Sequence, residues 1–164
     1  MAFVNQIQLL FLVVFSLGFT FVQAKETHTL NVTMTAMEEI TVLNDQGEVS
    51  IQQIEPTNIV PGDTVVYRTD YRNNYQQTIN RVAITNPIPK HLIYIQGSAE
   101  QDDVPVMYSI NNGKTFAAAD KLLVTDEKGA TRPATMVDYT HIRWVISSVL
   151  PKEKGTLSFR AKVK

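Results

Sequence analysis

The chain has 164 residues, 15 basic and 16 acidic side chains, and a net charge of −1. That balance provides no electrostatic footprint for nucleic acid or for an anionic membrane surface. Cysteine is absent, which excludes disulfides, thiolate metal sites and thiol nucleophiles, and leaves a chain long enough to bury one core without such staples.

Residues 1–24 carry no Lys, Arg, Asp or Glu and hold five of the seven Phe, with an apolar run from Leu9 through Val22. The run is shorter than the roughly 20 apolar residues needed to cross a bilayer, so it reads as the core of a signal peptide. Val22-Gln23-Ala24 supplies acceptable residues before a cut, and the mature chain is expected to begin at Lys25. No Cys follows for lipid attachment. An exported chain without disulfides fits a bacterial envelope better than a eukaryotic secretory route. In that setting Asn31-Val32-Thr33 reads as a Thr-rich strand and not as a glycosylation site.

Residues 29–36 alternate Leu30, Val32, Met34 and Ala36 with Thr and Asn, the period-two pattern of a half-buried strand. Residues 39–43 read as a second strand or the far side of a bend. Asn44-Asp45-Gln46-Gly47 then turns the chain into another strand over 48–54. After the linker bracketed by Pro56 and Pro61, Pro61-Gly62-Asp63 predicts a tight reversal, because proline presets one φ and glycine accepts a positive one. The next strand sets Val65, Tyr67, Thr69 and Tyr71 against Thr64, Arg68, Asp70 and Arg72, and ends in Asn73-Asn74. Val82 and Ile84 point inward in the strand that follows. Asn86-Pro87-Ile88-Pro89 is expected to stop its pairing, since each proline lacks a ladder donor.

Residues 106–110 predict a short strand closed by Asn111-Asn112-Gly113, a sequence suited to a two-residue loop with both central φ angles positive. Residues 116–124 are open between a helical turn over Ala117-Ala118-Ala119 and a loop with a strand. Asp126-Glu127-Lys128-Gly129 turns the chain again. In 139–146 Ile142, Trp144 and Ile146 share a face, and Trp144, the single tryptophan, is the expected centre of the core, with Tyr67, Val82, Ile84, Leu157 and Phe159 around it. The last strand alternates Leu157, Phe159, Ala161 and Val163 with Ser158, Arg160, Lys162 and Lys164. Eight or nine short strands separated by turns, with no long amphipathic helix, predict an all-β, antiparallel immunoglobulin-like sandwich.

The order Pro-Gly-Asp turn, alternating Tyr/Thr strand, Asn-rich turn, Asn86-Pro87-Ile88-Pro89 bend and Tyr94-Ile95-Gln96-Gly97-Ser98 resembles the prokaryotic conserved-repeat surface domain catalogued as domain of unknown function eleven. The resemblance covers about residues 58–164 and departs at Leu150-Pro151-Lys152-Glu153-Lys154-Gly155, where the family commonly has Pro-Gly. With the uncharged front segment it divides the chain into three: a signal peptide over 1–24, N-terminal strands over 25–57 joined to the sandwich, and the conserved-repeat immunoglobulin-like domain over 58–164. It implies a bacterial surface or envelope setting and names no reaction.

The chain offers little chemistry. His28, His91 and His141 are scattered, and no glycine-bounded nucleophile or Gly-rich phosphate loop occurs. Asp102-Asp103 and Asp126-Glu127 lack the alternating spacing that wraps a calcium ion. No catalytic, cofactor-binding or metal-binding residue is therefore assigned, and no cofactor is expected. The most recognition-like surface comprises Arg68, Asp70, Arg72, Asn74 and Tyr75, which also read as charges that guard an exposed strand and as ordinary turn residues. The expectation is an exported, non-enzymatic structural or protein-interaction module whose partner is itself or an envelope component, or alternatively a carbohydrate-binding or periplasmic chaperone-like module. Neither nucleic acid nor stable membrane insertion after signal cleavage is expected. Residues 29–36 are open between the first strand of the chain's own sandwich and a strand donated to a neighbouring copy.

Overall fold

The Thr-rich alternation at the front of the chain becomes one long strand. The computed structural model describes residues 29–164, so the expected signal segment and His28 lie outside the described residues. Strand β1 (Leu30–Leu43) runs straight through the point where a bend was considered. β2 (Val49–Ile54) follows the Asn44 turn, where the Asn44 side-chain oxygen accepts the Gln46 and Glu48 amides at 3.0 and 2.8 Å and Gly47 takes the left-handed φ of 78°. β3 (Thr64–Asn73) starts from the Pro61-Gly62 reversal, in which Gly62 has φ 102° and the Asp63 amide donates to Val60. The remaining strands are β4 (Ile79–Pro87), β5 (Leu92–Tyr94), β6 (Val106–Ser109), β7 (Leu123–Thr125), β8 (Thr131–Pro133), β9 (His141–Val149) and β10 (Lys154–Val163). A single 3-10 turn, Ala119–Lys121, precedes β7, so the uncertain stretch holds both a helical turn and a strand.

Every strand pair is antiparallel. The strands form a five-stranded sheet in the order β2-β1-β3-β10-β5, a three-stranded sheet β4-β9-β6, and the β7-β8 hairpin. β1 pairs with β3 over ten residues, but β2 reaches only its second half, from Glu38 to Leu43. Among the described residues the front half of β1 thus has one neighbour.

One core takes side chains from both larger sheets. Val82 and Ile84 of β4 and Ile142, Trp144 and Ile146 of β9 meet Leu157, Phe159 and Ala161 of β10. Trp144 is 0 % exposed, its indole N–H donates to Ala99 O at 2.9 Å, and its ring lies 6.3 Å from that of Phe159. Tyr67 stacks on Phe159 at 5.0 Å, so the expected neighbours of Trp144 do surround it. Pairing in β4 persists through Pro87, opposite His141, and the Ile88 amide still donates to Thr140 O at 2.8 Å. The expected stop thus falls inside the Asn86-Pro87-Ile88-Pro89 segment and not at its start, because a proline in an edge strand turns its donor-less nitrogen away from the ladder.

The Tyr94-Ile95-Gln96-Gly97-Ser98 stretch has a mechanical reading. Tyr94 Oη accepts the Ala99 amide, Gly97 takes φ 79°, and the Ser98 hydroxyl donates to Ile95 O at 2.6 Å while accepting the Arg160 amide at 2.9 Å. The stretch thereby ties β5 to β10. At the other end of β10, Pro151 and Lys152 occupy the two central positions of a turn, with the Glu153 amide donating to Leu150 O. Lys152 has φ 65°, which makes this a type II turn with lysine where glycine is usual.

Candidate interaction face

Strand alternation sends Arg68, Asp70 and Arg72 to the face of the five-stranded sheet turned away from the core, and the register decides their company. Asn31, Arg72 and Lys154 stand side by side in one row across β1, β3 and β10; Thr33, Asp70 and Thr156 form the next, and Thr35, Arg68 and Ser158 the third. The first two rows and Arg68 line a shallow groove of about 500 Å³.

Within it Asp70 is already satisfied. Arg68 donates through Nε at 3.0 and 3.1 Å to its two oxygens, and the Thr156 hydroxyl donates to Oδ1 at 2.6 Å. The Thr156 hydrogen bond, and after it the Arg68 guanidinium, holds the Asp70 carboxyl below the usual carboxylate range. Arg72 and Lys154 differ. They face each other directly across neighbouring strands, both exposed, and no carboxylate pairs with either among the described residues. Like charges opposite one another are unfavourable in a sheet, so the pair is a standing attraction for an anionic group.

Asn74 and Tyr75 lie elsewhere. Asn74 follows the end of β3, its amide donating to Thr29 O at 2.9 Å, and the Tyr75 amide donates to the Asn73 side chain at 2.8 Å. Tyr75 lines a separate groove of about 420 Å³ with Leu30, Ile79 and Asn80. The five residues singled out from the sequence are thus divided between two places, and only Arg68, Asp70 and Arg72 share the polar face.

Asn31, Thr33, Lys154 and Thr156 were not singled out. Alternation alone marks each as outward, but which strands are neighbours is a long-range property. Asn73, at the Asn-rich turn that the sequence offers as surface, is instead fully buried. Its side-chain amide donates to Gln77 O and Val149 O at 2.9 Å and reaches Leu150 O at 3.0 Å, pinning two turns together.

The remaining ionisable groups serve loops. Asp126 Oδ1 accepts the Lys128 and Ala130 amides at 2.9 Å, which occupies that oxygen in turn geometry. His141 is half-buried beside Gly113, and burial, with Arg143 second, holds its imidazole below the ordinary value. Arg143 itself lies 3.6 Å over the Phe116 ring. No cluster of three or more His, Asp or Glu converges among the described residues, and none of their helices is long and apolar enough to cross a membrane. Compared with known proteins, the chain matches no family model, no curated protein and no solved structure.

Proposed function

We propose that this protein is an exported, non-enzymatic interaction module of a bacterial envelope or cell surface. In this reading the chain, freed of residues 1–24, folds as an immunoglobulin-like sandwich and docks an acid-bearing protein partner on the outer face of its five-stranded sheet. The observation that carries the reading is the pair Arg72 and Lys154, opposed in register without a carboxylate, beside an Asp70 whose charge is paired with Arg68 and hydrogen-bonded by Thr156. Asn31 and Thr33 add hydrogen-bonding groups at the rim. Residues of this kind, on rigid strands and not on loops, make a preorganised polar surface. The uncharged front segment and the absence of Cys support export, and the ordered turns from Pro61 to Ser98 support the family resemblance.

The same groove favours a second reading, an acidic saccharide as the ligand, because it sets cationic groups beside the Asn31 amide and the Thr33 and Thr156 hydroxyls. Charge reversal at Arg72 and Lys154, made in the native host, tests both. Loss of retention in the envelope fraction, with an unchanged thermal midpoint, is expected. Release of the wild-type protein from the envelope fraction by a soluble acidic polysaccharide competitor would select the saccharide, and undiminished retention of the double variant would overturn this face as the docking site.

A further inference from the structure

The two large sheets are unequal, and the inequality leaves apolar surface open. Asn86 of β4 hydrogen bonds Thr69 of β3, so the three-stranded sheet ends at β4, over β3. Beyond it, among the described residues, no strand covers β1. Val32 and Met34 sit in register with Tyr71 and Thr69 on the core-facing side of the sheet, yet they are 46 % and 44 % exposed. They form a shelf beside the free edge of β4. That edge is interrupted at Arg81, which has φ 57° and is skipped in an otherwise constant β9 register, and at Pro87, leaving residues 82–86 clear. Arg81 is the only charged side chain between Arg72 and Lys90.

A strand of matching chemistry occurs in the same chain. Among the described residues β2 pairs on one side only, and its sequence Val49-Ser50-Ile51-Gln52-Gln53-Ile54 contains no charge, proline or glycine. Val49 and Ile51, on one face of it, are 67 % and 62 % exposed, and Leu43 joins them from β1. Natural edge strands are normally guarded by Lys, Pro, bulges or shortness, and β2 carries none of the first three. It is flanked by Glu48 and Glu55, in a stretch, residues 29–67, without one basic side chain. Acidic ends on an apolar strand complement an apolar shelf with Arg81 beside it.

We infer that the β2 edge of one copy adds to the free β4 edge of a second copy, laying Val49 and Ile51 over Val32 and Met34. The inference rests on the interaction-module reading and names a second copy of this chain as a partner. Donor and acceptor are different surfaces of one molecule, so the contact is head-to-tail and generates a ring or an open filament.

Sedimentation velocity on the protein isolated from its host, over a concentration series, tests this. The wild type is expected to form concentration-dependent oligomers. Ile51→Lys and Val49→Lys, at exposed donor positions, and Met34→Lys on the shelf should each weaken association about tenfold or more, with far-UV circular dichroism unchanged. The decisive sample mixes I51K, whose shelf is intact, with M34K, whose β2 is intact. Each variant alone should be monomeric, and the mixture should stop at a one-to-one dimer. A wild type that stays monomeric throughout the series, a donor variant that associates like the wild type, or a mixture that yields no dimer overturns the inference. Retention of the protein by the envelope, read with the Arg72 and Lys154 variants, is a separate measurement and distinguishes failure of self-association from failure of the module reading.

Discussion

Trp144 and His141 stand on one strand, three residues apart, and their opposite faces predict opposite tolerance. Trp144→Ala removes a fully buried ring and its bond to Ala99 O, and should destabilise by about 3 to 5 kcal/mol in urea titration. His141→Ala, on the outward face, should cost well under half as much. Lys152 gives a prediction of the other sign. Its positive φ is strained for any residue with a Cβ, so Lys152→Gly should raise stability by up to ~1 kcal/mol, read as a higher urea midpoint. Its side chain makes only a 3.5 Å contact to Asn74 O, so little is lost in exchange.

Among the elements, the loop from β8 to β9 is held by one carboxylate. Arg132 donates to both oxygens of Asp138 at 2.7 and 2.8 Å, and Thr135 adds its amide and hydroxyl at 2.8 and 2.9 Å. The Arg132 hydrogen bonds, opposed by burial and helped by Thr135, push the Asp138 carboxyl far below its ordinary range. A depressed carboxylate stabilises the folded state above its unfolded pKa of about 3.9, and the contribution disappears as pH falls toward its folded value. Stability of the wild type should therefore fall below about pH 4, and Asp138→Asn should flatten part of that acid limb while lowering stability at neutral pH. Urea midpoints measured from pH 2 to pH 7 check both. Gly155 makes a comparable local demand, because a Cβ there would collide with the Tyr71 ring lying across β10.

For the molecule as a whole, a core fed by two sheets through one cluster should unfold as a unit. Trp144 fluorescence and far-UV circular dichroism are expected to give coincident urea transitions. A separated early transition in circular dichroism would mean that β2 and the second half of β1, which lie at the sheet margin, melt alone. What residue order could determine here is local: alternation assigned the inward faces of β3, β9 and β10 and the centre at Trp144, and the Pro-Gly, Asn-Gly and Asp-x-x-Gly clusters located turns, because side-chain direction and φ preference act within a few residues. Neighbour relations were not legible in that way. That Lys154 stands opposite Arg72, that β1 continues unbroken along β3, and that β4 stops short of covering Val32 and Met34 all depend on pairing between segments up to 98 residues apart. Such pairing is decided by which sheet buries which face, a free energy that exists only once the whole core is assembled.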